Sequence, residues 1–332
     1  MLSFEIGHNP KVVKRPERLR DFIPAPYKGV LIISADFELA WAWRYAKALG
    51  GRTEAAEAYA RIARTNVPAI LRLCEAYHIP ITWGTVGHLF LEQCQAGETG
   101  LAHTEMDRLA YFENEYWRYA EGDWFGHDPC TSWRENDAWY APDLVDQILA
   151  SPVEHEIGCH TFSHIDCSDE HCPPGVIRDE LAACQRAADD FGIKLESFIF
   201  PGHTMGNFQT IKECGYTSVR VNYANEIGYP VRDEFGLWHL PATAEIIMNP
   251  KWGESYNLYR FRKIIKRTLR HQAVANLWFH PSLPSETVVP LFETIFQYAN
   301  THRGQLWVTT MRDYVGWLNR RKPAAGVSKA VH

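Results

Sequence analysis

The strongest constraint in this chain is a rhythm. From about residue 30 to residue 320, short apolar, strand-like runs alternate with longer stretches of helical spacing. Strands are expected at 30–35, 79–83, 155–160, 196–201 and 217–221, and again near 237–241, 276–279 and 306–309. Helices are expected at 54–77, 142–150, 175–191, 206–214, 257–271, 285–300 and 311–320. Pro68 lacks an amide hydrogen and crowds the preceding turn, so 54–77 reads as two helices or a kinked one. Strands that alternate with helices predict a mostly parallel sheet with the helices outside it, the α/β class. One stretch, 96–141, breaks the rhythm. It is rich in Trp, Tyr, Glu, Asp and Gly and reads as a long excursion of the functional or capping kind. The expected organisation is an N-terminal arm at 1–29, one barrel domain at 30–320 with that insertion, and a flexible tail at 321–332.

Composition narrows the function classes. Hydrophobic residues make up 46% of the 332 residues, enough to bury a large core without covalent staples. The 34 Lys and Arg against 40 Asp and Glu leave a net charge of −6, which argues against a nucleic-acid partner. Eight cysteines are too dilute for a disulfide scaffold. The first residues lack a basic segment followed by an apolar one, and the apolar run at 30–33 is far below the ~18 residues of a membrane span. The expectation is a cytoplasmic protein with reduced thiols and no transmembrane segment.

Active-site groups in such folds project from the C-terminal ends of strands. Here those ends carry Asp36 and Glu38, then His160 and His164, then Pro201, Gly202 and His203, and finally His280 with Pro281. Carboxylates and histidines thus come to one end of the barrel from different strands. His160 and His164, at i and i+4, can face one metal if the segment turns helical after His160. Two imidazoles and a carboxylate with an open position make a hydrolytic metal site. Cys159, His160, His164, Cys167, His171 and Cys172 also crowd one segment, which raises a closed structural zinc site as a rival. Cys159 and His160 are strand neighbours and point to opposite faces, which weighs against it.

The sequence resembles the polysaccharide deacetylase family (NodB homology, carbohydrate esterase family 4). His155-Glu-Ile-Gly-Cys-His160-Thr-Phe-Ser-His164 is similar to the family's H-[ST]-x-x-H motif. Ser34-Ala-Asp36-Phe-Glu38 stands where the family has T-F-D-D-G. Ser197-Phe-Ile-Phe-Pro201-Gly202 stands in the place of its arginine–proline motif, and Leu277-Trp-Phe-His280-Pro281 resembles its late L-x-x-H motif. Order and spacing agree over roughly residues 28–318. The resemblance implies a distorted (β/α) barrel of about seven strands, TIM-like in outline, from a divergent cytoplasmic branch. Two departures stand out. The usual Asp pair is Asp36-Phe37-Glu38, so Glu38 takes the second place and the roles of base and ligand could be exchanged. The motif arginine is missing, and Arg220 on the next strand is a candidate replacement.

The resemblance further implies removal of an N-acetyl group from a sugar, on a polysaccharide or a nucleotide- or lipid-linked precursor, in surface-glycan biosynthesis. Asp36 would be the general base, His280 the general acid, and Glu38, His160 and His164 the ligands of one divalent metal. Zinc fits best, with cobalt, nickel and iron as alternatives. A backbone amide of the 201–204 loop would serve the oxyanion. Trp83, Trp238 and Trp278 are expected to pack the barrel. Trp124 and Trp133 are the candidates for a sugar face, and Asp123, His127 and Asp128 could also reach the site. The basic stretch with Arg260, Arg262, Lys263, Lys266, Arg267 and Arg270 is either a solvated face or a contact for a diphosphate or an anionic membrane surface. Two other functions stay open: an amidohydrolase of a non-sugar or formyl amide, acting with or without metal, and a non-catalytic barrel that binds glycan or a partner protein.

Overall fold

The computed structural model describes residues 10–321. Its strands are β1 (Lys11–Val12), β2 (Gly29–Phe37), β3 (Thr82–Thr85), β4 (Phe112–Glu113), β5 (Arg118–Tyr119), β6 (Glu156–Cys159) and β7 (Ser197–Ile199). The second half adds β8 (Ser218–Val221), β9 (Glu226–Ile227), β10 (Val231–Arg232), β11 (Trp238–Pro241), β12 (Ala244–Glu245), β13 (Val274–Phe279) and β14 (Leu306–Thr309). The helices are α1 (Thr53–Tyr77), α2 (Pro142–Leu149), α3 (Pro174–Asp189), α4 (Phe208–Glu213), α5 (Glu254–His271), α6 (Ser285–Asn300) and α7 (Met311–Arg320).

Ten strands form one curled sheet in the order β10-β11-β8-β7-β6-β3-β2-β13-β12, with β14 also paired to β2. Only the β10–β11 ladder in it is antiparallel. The short strands β10 and β12 are additions to those expected. β2 is the hub: it pairs β13 along residues 30–35 on one side, and β14 then β3 on the other. All nine of its residues are buried, as a strand covered on both faces must be, which is why its sequence runs apolar without alternation until its last turn outward.

Helix α1 runs unbroken from Thr53 to Tyr77 with Pro68 inside it, so the two-helix alternative is overturned. Its inner face buries Ala56, Ala60, Ala63, Val67, Ile70 and Cys74, and Asn66 donates to the Pro281 and Leu283 carbonyls at 2.7 Å each. Tertiary packing of that face holds the helix together across the one backbone hydrogen bond that Pro68 cannot donate. Within 96–141 only β4 and β5 are regular, yet Trp117, Tyr119, Trp124, Phe125 and Trp139 are buried, so the excursion is folded onto the barrel. Residues 11–12 of the expected arm pair with β9. Residues 1–9 of that arm, and the expected tail from residue 322 on, lie outside the described residues. All eight cysteines are free thiols. No helix among the described residues is long and apolar enough to cross a membrane.

Candidate active site

The last residues of β2 alternate. Phe37 turns outward and meets Trp83 edge-on, with ring centroids 5.9 Å apart, while Asp36 and Glu38 share the opposite face. His160 follows β6 directly. No helix comes after it, contrary to the expectation. Thr161 and His164 instead take left-handed conformations (φ +58° each), and this tight loop brings the two imidazoles to 5.0 Å between centroids. After β7 the chain turns through Pro201, Gly202 and His203, again with left-handed Gly202 and His203. His280 follows β13.

These four strand ends converge. One oxygen of Glu38, Oε2, faces Nε2 of His160 at 3.2 Å and Nε2 of His164 at 3.1 Å. Each of the three residues offers one ligand atom, and those atoms lie within 4.8 Å of one another. His160 Nδ1 stands 2.8 Å from the Ile199 carbonyl, an acceptor, so this nitrogen carries the ring proton. His160 Nε2 faces a carboxylate oxygen. Burial holds His164 down at about 4, so at neutral pH it is uncharged. Glu38 Oε1 is buried without a hydrogen bond. Acceptors facing acceptors among buried side chains call for a cation between them, and two imidazoles with a carboxylate suit a divalent transition ion. The carbonyl that orients His160 is the outer partner such a ligand needs.

Asp36 is held by Arg220, as the missing motif arginine had suggested. Nη1 and Nη2 of Arg220 donate to its two oxygens at 2.6 and 2.7 Å, and the guanidinium lies over the Trp278 ring. Burial pushes the Asp36 carboxyl up, but Arg220, His160 and His280 hold it below the usual range. His280 places Nε2 at 3.6 Å from Glu38 Oε1 and 3.9 Å from Asp36 Oδ2. Its Nδ1 is 3.0 Å from Glu245 Oε1. Burial opposes its charge, but Glu38, Glu245 and Asp36 outweigh this and raise it to about 9, so at neutral pH His280 is an imidazolium. Burial and Arg220 push His203 down to about 3, and its ring packs edge-on against Trp278.

A small pocket opens onto this centre, lined by Asp36, Glu38, Trp43, Trp117, His164, Gly202, His203 and His280, with Tyr116 at its side. Gly202 is required where it stands: a Cβ there would meet Trp117 Cη2 at 2.6 Å, and its φ is +52°.

Several sequence candidates stand elsewhere. Trp124 is buried under the insertion and donates to Ser163 Oγ at 2.7 Å, so it offers no sugar face. Asp128 is buried beside His88 and His103, away from the pocket lining. Asp123 pairs with Arg108, and His127 packs against Tyr45 and Trp139. Trp133 lies beneath Arg134. None of these five residues lines the pocket; each is engaged by neighbours in the insertion or, for Trp124, by Ser163 of the barrel. In the rival zinc cluster, His171 pairs with Asp166, and the cysteines join no metal-capable group with His160 or His164 among the described residues. Of the basic helix, Arg260 is buried beside Trp252, while Arg262, Lys266 and Arg270 form an exposed line. Sequence reasoning missed Glu245, Trp43, Tyr116 and Trp117. Glu245 ends the two-residue strand β12, whose shortness hid a carboxylate at a strand end.

No family model matches the chain, and no curated protein matches it in sequence. Solved structures do. A candidate polysaccharide deacetylase from Mycobacterium smegmatis matches with a TM-score of 0.63 at 12% identity, over 98% of this chain and 100% of that one. The chain has the polysaccharide deacetylase fold. A second candidate deacetylase, from Pseudomonas aeruginosa PAO1, and the PuuE allantoinase each match at TM-score 0.62 and 13% identity, over 92% of this chain and 95% of theirs. The polysaccharide deacetylase fold is thus the distorted (β/α) barrel expected, and its strand ends carry the residues described above.

Proposed function

We propose that this protein is a metal-dependent hydrolase that removes an N-acetyl group from a sugar. The observation that carries the reading is the convergence of Glu38, His160 and His164 with Asp36 and His280 around one pocket at the strand ends of this fold. A divalent ion held by Glu38, His160 and His164 would supply a Lewis acid that lowers the pKa of a water and polarises the amide carbonyl. Asp36, fixed by two hydrogen bonds from Arg220, presents its remaining lone pairs to the attacking water and takes its proton. The chain turn at Gly202 and His203 borders the pocket, and the Gly202 amide is the donor that would serve the oxyanion, since the His203 and Thr204 amides donate to the Phe200 and Pro201 carbonyls. His280, kept charged by Glu245, delivers a proton to the departing amine, which cannot leave as an anion.

Trp43, Tyr116 and Trp117 wall the pocket closely, which suits one acetamido-sugar ring, free or on a nucleotide- or lipid-linked precursor, better than the middle of a polymer. The exposed line of Arg262, Lys266 and Arg270 is the surface we assign to a diphosphate or to peripheral membrane contact. We place the protein in the cytoplasm, in surface-glycan synthesis, with zinc as the metal.

The test is acetate release from a panel of N-acetylated sugars and their nucleotide-linked forms, with zinc or cobalt supplied. Turnover by wild type that disappears in His160→Ala, together with one equivalent of metal, supports the reading. No acetate from any of them sinks it. A second reading, hydrolysis of a cyclic amide, is favoured by the fold likeness to an allantoinase. Turnover of allantoin without acetate release from sugars would select it.

A further inference from the structure

The features that mark the Glu38 trio occur a second time in the molecule, in a place no step of the proposed reaction uses. His88, Cys94, His103 and Asp128 each offer one ligand atom, and the four atoms lie within 4.8 Å of one another. A single carboxylate oxygen, Asp128 Oδ2, faces His88 Nε2 at 2.8 Å and His103 Nε2 at 3.2 Å, and Cys94 Sγ is 3.3 Å from His103 Nε2. We propose that these four side chains form a second, closed metal site, a four-coordinate zinc centre that ties the insertion to the barrel.

The proton count argues for it. His88 Nδ1 is 3.2 Å from the Trp139 carbonyl and donates there. Its Nε2 then carries a lone pair, aimed at a carboxylate oxygen at 2.8 Å with neither side chain exposed to solvent. A lone pair facing a carboxylate oxygen at that distance, with both groups buried, leaves the position between them to a cation. Among the described residues the ion-pair partners of Asp128 are His88 and His103 alone, so no Lys or Arg balances its buried charge.

The charge count agrees. A divalent ion with one thiolate, one carboxylate and two neutral imidazoles is a neutral unit, the form of a charged group that is cheapest to bury. Binding exchanges the Cys94 thiol proton for the metal, and the proton leaves to bulk water. Sulfur, nitrogen and oxygen donors in fourfold array suit zinc. Tetrahedral zinc sets neighbouring donors roughly 3.3–3.6 Å apart, so the observed contacts need only small adjustments.

The outer partners are also in place. The second oxygen of Asp128 accepts from Tyr140 Oη at 2.8 Å and from the Cys130 amide at 2.9 Å. Arg108 donates to the carbonyls of Ala102 and His103 and to Asp123, which fixes the loop that presents His103 in a left-handed conformation (φ +50°). Ligands held from behind in this way characterise built metal sites. All four coordination positions come from the protein, so the site is structural. It joins residues 88 and 94, beyond β3, to residues 103 and 128 of the excursion that also carries Tyr116 and Trp117.

Cobalt distinguishes this site from the Glu38 trio, because only this one contains sulfur. The His160→Ala/His164→Ala protein, stripped of metal under reducing conditions, is titrated with cobalt(II). The expected result is one equivalent bound with a thiolate-to-cobalt charge-transfer band in the near ultraviolet. Zinc should abolish that band and shield Cys94 from alkylation, as located by peptide mass mapping. Cys94→Ser should lose the band. Uptake without a thiolate band, no uptake at all, or equal alkylation of Cys94 with and without zinc would overturn the proposal and leave the four residues a hydrogen-bonded network. None of these readouts depends on deacetylation, so failure of the proposed activity leaves this result intact.

Discussion

Arg220 on β8 grips both oxygens of Asp36 on β2, at 2.6 and 2.7 Å, with both side chains buried. The strand before Pro201 holds no arginine, so the guanidinium comes from the neighbouring strand and reaches the same carboxylate from another direction. This changes which substitution would expose the carboxylate proposed as base. Arg220→Ala leaves a buried carboxylate unpaired and should cost about 3–5 kcal/mol of stability. Arg220→Lys keeps the charge but loses the two-pronged geometry. It should retain metal and lower kcat at least about tenfold, an effect of roughly 1.4 kcal/mol on the barrier. Thermal melts beside steady-state kinetics check both, and an unchanged kcat in Arg220→Lys would refute the positioning role.

Glu245 orients and charges His280 through the 3.0 Å contact at Nδ1. Glu245→Gln keeps the shape and removes the charge. With His280 as the proton donor to the amine, kcat should fall by about tenfold to a hundredfold while KM and metal content stay close to wild type. A change in KM alone would reassign Glu245 to substrate binding.

Gly202→Ala tests the pocket wall. The added Cβ would strike Trp117, and the left-handed backbone adds about 1–2 kcal/mol of strain. Melting temperature should drop and KM should rise. Gly202→Ala combined with Trp117→Ala should recover the part of the loss due to the clash, which a double-mutant cycle reads directly.

His155, outside the active site, accepts a hydrogen bond from the Ile81 amide at 3.0 Å, and burial holds it down at about 4, below its ordinary 6.5. Between these values the unfolded chain binds the proton that the folded one refuses, so stability rises with pH across this window and is lost as pH falls through it. His155→Gln keeps an acceptor for Ile81 and removes the titration. Urea midpoints at about pH 5 and about pH 7 should lie closer together in this variant than in wild type. An unchanged difference would show that other buried histidines carry the whole effect.

Much of the site was legible in the sequence for a simple reason. Asp36, Glu38, His160, Gly202, His203 and His280 are all at or just past the C-terminal ends of strands, and a parallel sheet carries such ends to one edge whatever the details of packing. The i, i+2 spacing of Asp36 and Glu38 puts them on one face without further help. His164 was found for the wrong local reason: it arrives by left-handed turns, not by a helix. The insertion was placed correctly, but the residues in it that reach the pocket, Tyr116 and Trp117, were not the ones expected. Trp124 and Asp128 look like surface chemistry in sequence, because no period relates an irregular segment to inside and outside.

The sequence by itself determined the α/β class, the order of strands and helices, and the set of groups gathered at one end of the sheet. Those follow from local periodicity and from the direction of parallel strands, both properties of near neighbours in the chain. Only the tertiary structure decided which groups pair: Arg220 with Asp36 across 184 positions, Glu245 with His280 across 35, and Asp128 of the insertion with His103 and with His88 outside it. Such pairings rest on the curl of the sheet and on the need of each buried charge for a partner, and neither leaves a period in the sequence to read.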